Sequence, residues 1–104
     1  MTNDHILELA VCIVLDKPAA TATRQRAMQA VSRYPGFISW RAVDSCETSG
    51  MFADLVEWET LEAAQSAGER VRVDPEFAPY AATISAVMLV QHFTDGQKIS
   101  GKPN

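Results

Sequence analysis

The hydrophobic positions of the chain switch between two periods. Glu8-Leu9-Ala10-Val11-Cys12-Ile13-Val14-Leu15 is apolar at odd and even positions alike, rich in β-branched residues, and closed by Asp16-Lys17-Pro18. It is too short for a typical helix and predicts a strand covered on both faces. From Ala19 to Arg33 the spacing becomes helical, with Ala20, Ala27, Val31 and Tyr34 on one side and Arg24, Gln25, Gln29 and Arg33 mostly on the other. Pro35-Gly36 stops that helix. Two strand-like runs come next, Phe37 to Asp44 and Met51 to Trp58, joined by the polar turn Ser45-Cys46-Glu47-Thr48-Ser49-Gly50, and together they predict an antiparallel hairpin. A second helix starts at Thr60, a hydroxyl cap, with Leu61, Ala64, Ala67 and Val71 as its apolar stripe. Asp74-Pro75-Glu76 has the composition of another helix start, and Pro79 limits that helix to a short piece. Ile84 to Phe93 is the last strand, and the polar residues after it predict a loose tail.

The order β-α-β-β-α-β is the split βαβ plan of ferredoxin-like domains, an α+β class with two helices over one face of a four-stranded antiparallel sheet. The domain is expected over residues 8–93, with tails at 1–7 and 94–104. Two short helices shield one face only, yet the first and last strands are apolar on both sides. An open face of that character exceeds what soluble monomers usually expose, and a second copy of the chain is the simplest cover. A homodimer with facing sheets is the expected assembly.

Composition narrows the function. With 104 residues, 47% hydrophobic and 21% charged, the chain fits one globular domain. No apolar run approaches a membrane span, so no membrane partner is expected. A net charge of -4 with dispersed basic residues gives no footprint for nucleic acid. The first residues have neither the basic start nor the apolar stretch of a secretory signal, and Cys12 and Cys46 read as reduced thiols, so a cytoplasmic setting is expected. Two histidines and two cysteines tens of residues apart match no metal-ligand spacing, and the glycines are isolated rather than gathered in a phosphate loop. Neither a metal nor a nucleotide cofactor is expected.

Three stretches carry a family likeness: Tyr34-Pro35-Gly36-Phe37-Ile38-Ser39-Trp40-Arg41, Asp54-Leu55-Val56-Glu57-Trp58-Glu59-Thr60-Leu61-Glu62-Ala63-Ala64, and Val90-Gln91-His92-Phe93. Over residues 8–93 the chain resembles the dimeric α/β-barrel superfamily, which includes the antibiotic biosynthesis monooxygenases. The resemblance implies a barrel of two sheets and a pocket for a small apolar or aromatic molecule, with cofactor-independent oxidation by O₂ as one of the superfamily's activities. The haem-degrading branch is a poorer match, because it relies on an asparagine and a histidine, and the only asparagines here are Asn3 and Asn104, in the expected tails.

Oxidation without a cofactor calls for a base that deprotonates a phenol or enol. His92 is the candidate base, since imidazole titrates near neutral pH; the bland alternative is a hydrogen bond at the barrel rim. Arg41 is the candidate charge stabiliser, set against a solvated residue or an ion pair with Asp54 or Glu57 on the next strand. Those two carboxylates face opposite sides of their strand. Trp40, Trp58, Phe77 and Tyr80 are candidate ligand-binding residues, with core packing as the competing use. A non-catalytic dimer that binds a ligand or a partner is the alternative function.

Overall fold

The computed structural model describes residues 5–102, so Asn3 and Asn104 and the outermost parts of both expected tails lie outside the described residues. The elements are β1 (Ile6–Val14), α1 (Lys17–Val31), β2 (Phe37–Asp44), β3 (Met51–Trp58), α2 (Leu61–Arg70), α3 (Ala78–Thr83) and β4 (Ile84–Phe93). The strands form one sheet in the order β2-β3-β1-β4, antiparallel throughout, as the ferredoxin-like reading expects. β1 starts two residues before the predicted run, because Ile6 pairs with Trp58 and is buried. Leu15 falls past the end of β1 and is 87% exposed.

Local chemistry sets the helix limits. Asp16 caps α1, its carboxylate accepting from the Ala19 amide at 3.1 Å, with Pro18 in the first turn where no amide hydrogen is needed. Thr60 caps α2 in the same way, its hydroxyl oxygen accepting from the Ala63 amide at 3.0 Å. Between α1 and β2 the chain turns through Gly36 at φ +78°, and a Cβ there would come within 2.5 Å of the Ala63 Cβ. Gly36 thus lets the loop lie against α2. Asp74-Pro75-Glu76 forms a turn instead of the expected helix start: the Asp74 carboxylate accepts from the Glu76 amide at 2.9 Å, and the helix waits until Ala78.

All of the buried core lies on the helical side of the sheet. Phe52, Asp54, Val56 and Trp58 alternate inward from β3, as Ile6, Cys12 and Val14 do from β1. Two clusters result, one around Val31, Tyr34, Val56 and Trp58, the other around Ala27, Phe52 and Tyr80, and Trp40 and Phe77 pack against both.

One expectation about α1 is corrected. Arg24 sits on the buried face with Ala20, Ala27 and Val31, not on the polar side, and is only 4% exposed. Its spacing from those residues places it there, and its charge is met from the sheet.

Simple alternation in β4 also fails. Register shifts opposite Val11/Cys12 and Ile13/Val14 make Met88 and Ser85 extra residues, so Val87 pairs with Cys12 while Val90 pairs with Ala10. The bulges bring Val87, Val90 and His92 to the helical side. On the opposite face Leu7, Leu9, Val11 and Ile13 of β1 stand beside Leu55 of β3 and Leu89 and Phe93 of β4, with no helix over them.

Candidate active site

A cavity of about 760 Å³ lies between the inner sheet face and α2 and α3. That is within the usual range for a small-molecule site. Its walls include five of the residues singled out above: Trp40, Trp58, Phe77, Tyr80 and His92. They also include Glu8 and Asp54. The sixth, Arg41, is elsewhere. It pairs in register with Leu55, so it points to the face away from the helices, and it is exposed there. Its suggested partners are taken by others: Asp54 by Arg24, and Glu57 by His5, whose Nδ1 lies 2.7 Å from Glu57 Oε2.

The floor of the cavity is organised by Asp54, which is 5% exposed. Its carboxylate accepts three hydrogen bonds, from Arg24 Nε at 2.8 Å, from the Trp40 indole at 3.0 Å and from the Tyr80 hydroxyl at 2.8 Å. Arg24 spends its remaining donors on Asp44 at 2.9 Å and on the carbonyls of Val43 and Ala53, both at 3.0 Å. Its guanidinium also lies 4.0 Å from the centre of the Phe52 ring. Burial lowers the proton affinity of Arg24, and Asp54 and Asp44 more than offset that. Burial, and next the Asp54 charge, push the Tyr80 hydroxyl well above the ordinary phenol range, so it stays a neutral donor. Cys12, with Sγ 3.9 Å from Tyr80 Oη, is pushed up chiefly by burial and remains a thiol. Neither is a nucleophile in this setting.

At the other end Glu8 and His92 are direct cross-strand partners. The Trp58 indole donates to Glu8 Oε1 at 3.1 Å, and His92 Nε2 lies 3.7 Å from the same oxygen. Burial raises the pKa of Glu8 above 4.5, with Trp58 and His92 pulling against that shift. Both tryptophans therefore act twice, as apolar wall and as donor to a carboxylate. Among the described residues no group of acidic, histidine and cysteine side chains could hold a metal ion.

This arrangement sits on a scaffold shared with solved structures. SnoaB, a cofactor-independent oxygenase from Streptomyces nogalater, superposes with a TM-score of 0.72 at 19% identity, over 94% of this chain and 99% of that one. The chain has the fold of the antibiotic biosynthesis monooxygenases. A Bordetella bronchiseptica protein assigned to that class matches this monooxygenase fold with a TM-score of 0.72 at 20% identity, over 93% and 99% of the two chains. A conserved Methanosarcina mazei protein gives 0.72 at 11% identity, over 90% and 95%. No family model and no curated protein matches the sequence. The monooxygenase fold is thus evident from backbone geometry.

The aromatic walls and His92 stand out in the sequence, whereas Glu8 reads there as an ordinary strand residue. Its signal was a lone carboxylate in an otherwise apolar run, Leu7 to Val14, on the inward phase set by Cys12 and Val14.

Proposed function

We propose that the protein binds a small, largely apolar aromatic molecule in this cavity and oxidises it with O₂ without a cofactor. The observation that carries the reading is a mostly apolar cavity with a carboxylate and an imidazole at one end, Glu8 and His92, 3.7 Å apart. Those are the groups a reaction of this kind needs from the protein: apolar walls for the substrate and a base for its acidic proton. Proton loss from a phenol or enol gives an anion that passes one electron to O₂. Recombination of the radical pair and protonation form a C–OOH group on a carbon that still carries hydrogen. Loss of water across that C–H and the O–O bond leaves a carbonyl, so one oxygen atom enters the product and the other leaves as water. The description of SnoaB as a cofactor-independent oxygenase supports the same reading by analogy of fold. Oxygen uptake by metal-free protein with a panel of hydroquinones and polyketide phenols tests it, with uptake expected for at least one compound.

The working unit is a homodimer. The apolar sheet face lacks a cover, and Leu89 and Phe93 of β4, which stand on it, are among the exposed large hydrophobic residues. A second copy that lays its own sheet on this face removes that surface from water at no cost in new sequence. Sizing in solution at micromolar concentration checks this, with twice the chain mass expected and the single-chain mass excluding it. No described helix is long and apolar enough to cross a membrane. Cys12 and Cys46 are free thiols, which supports the cytoplasmic setting.

A further inference from the structure

The donors and acceptors of the cavity are unequal. Trp58 Nε1 is committed to Glu8, and Trp40 Nε1, Tyr80 Oη and Arg24 Nε are all committed to Asp54. The Asp54 carboxylate has both oxygens engaged, Oδ1 twice and Oδ2 once, and is only 5% exposed. Glu8 differs, because only its Oε1 is used. Oε2 has no hydrogen-bond partner among the described residues, and no buried side-chain oxygen or nitrogen there is left unsatisfied, so Oε2 is an atom that solvent or a ligand reaches. Glu8 lines the cavity, so this oxygen is an unspent carboxylate acceptor beside His92. Free donors on the walls are confined to His92 beside it and to Gln65 and Arg72, which are exposed at the helix edge.

We infer that Glu8 is the residue that docks the substrate hydroxyl and takes its proton, with Trp58 as the positioning residue that fixes the carboxylate. The inference rests on the reading of the cavity as an aromatic-binding site. In the step itself the substrate O–H bond breaks, the proton passes to Oε2, and the electron pair stays on the substrate oxygen. The new carboxylic O–H then points back at the oxyanion and donates to it. Two other titratable groups bear on Glu8, His92 from β4 and Asp54 from β3, and Glu69 and Arg72 line the helical wall of the same cavity. A neutral hydroxyl is accepted at this end and a carboxylate of the same shape is disfavoured, because it sets a second negative charge against Glu8 with only the His92 imidazole beside the pair.

Calorimetry with 1-naphthol, 1-naphthoate and naphthalene at pH 7 reads this directly. Wild type is expected to prefer naphthol over naphthoate by roughly 10- to 100-fold, the range for a hydrogen bond to a charged group. Glu8→Gln keeps an acceptor for Trp58 but offers an NH₂ to the cavity, so the preference collapses or inverts while naphthalene affinity stays level. Glu8→Asp retains the discrimination against naphthoate and controls for folding. Naphthol binding with an unchanged ratio in Glu8→Gln overturns the assignment of Glu8 alone. Failure of all three probes to bind wild type overturns the aromatic-site reading with it.

Discussion

Asp54→Ala is expected to destabilise the protein by about 3–5 kcal/mol, the range for breaking a buried ion pair from one side. The substitution strands three buried donors at once. Arg24, 4% exposed, keeps Asp44 and two carbonyls but loses the carboxylate nearest its charge, and the Trp40 indole and Tyr80 hydroxyl lose their acceptor. Set against a total of about 5–15 kcal/mol for a domain, this removes a large share. For a chain of this size it lowers the melting temperature by on the order of 15–30 °C. Asp54→Asn, which keeps the shape and one acceptor oxygen, is expected to lose less. The melts must be compared at one protein concentration, since the proposed dimerisation would add to apparent stability. A fall of only a few degrees in Asp54→Ala would show that the cluster does not hold α1, β2, β3 and α3 together.

His92→Ala and Glu8→Gln are each expected to lower oxygen uptake by about 10²–10⁴-fold, the usual contribution of a positioned acid or base. Neither loss is explained by unfolding. His92 lies on the edge strand with its side chain 31% exposed, so its removal leaves no large hole. For Glu8 the sign comes from linkage. Burial raises its folded pKa above 4.5, so folding favours the protonated form. The stability from this group is present below the unfolded value and is lost as pH rises through the folded one. Glutamine stays neutral throughout, so Glu8→Gln is expected to be at least as stable as wild type near pH 7 while being far less active. The wild-type rate should fall as acid protonates Glu8, at a pH above that of an ordinary glutamate, and Glu8→Gln should lack that limb. Equal uptake by His92→Ala and wild type removes His92 from the mechanism.

The fold was largely legible because hydrophobic period and punctuation agreed. β2, β3 and β4 lie where the apolar runs put them, and Thr60 and Gly36 punctuate the helices by known capping and turn chemistry. Asp16, which reads as the close of the first strand, instead caps α1 and starts it at Lys17, two residues before Ala19. The site was legible in part. Trp40, Trp58, Phe77, Tyr80 and His92 stand out as residue types, and they do line one cavity. The polar framework was hidden for a physical reason: each charge that matters is buried only because its partner is far away in sequence. Arg24 and Asp54 are 30 residues apart, and Glu8 and Trp58 are 50 apart. Each half looks like a misplaced surface charge until the sheet brings the other to it. The helical phase of Arg24, between Ala20 and Ala27, and the inward phase of Glu8 in its apolar run were the clues available in advance. Bulges are still harder to foresee, since Ser85 and Met88 carry no composition signal that marks them as extra residues.

On the proposed function, this cavity oxidises an aromatic molecule with O₂ and the protein's own side chains. The most direct measurement is turnover by metal-free protein, under isotopically heavy O₂ and with a chelator present, across the panel of hydroquinones and polyketide phenols. The expected result is a quinone or ketone product carrying one heavy oxygen atom, the other recovered in water, at a rate the chelator does not change. Uptake no faster than in buffer for every compound, or turnover that the chelator abolishes, would contradict it.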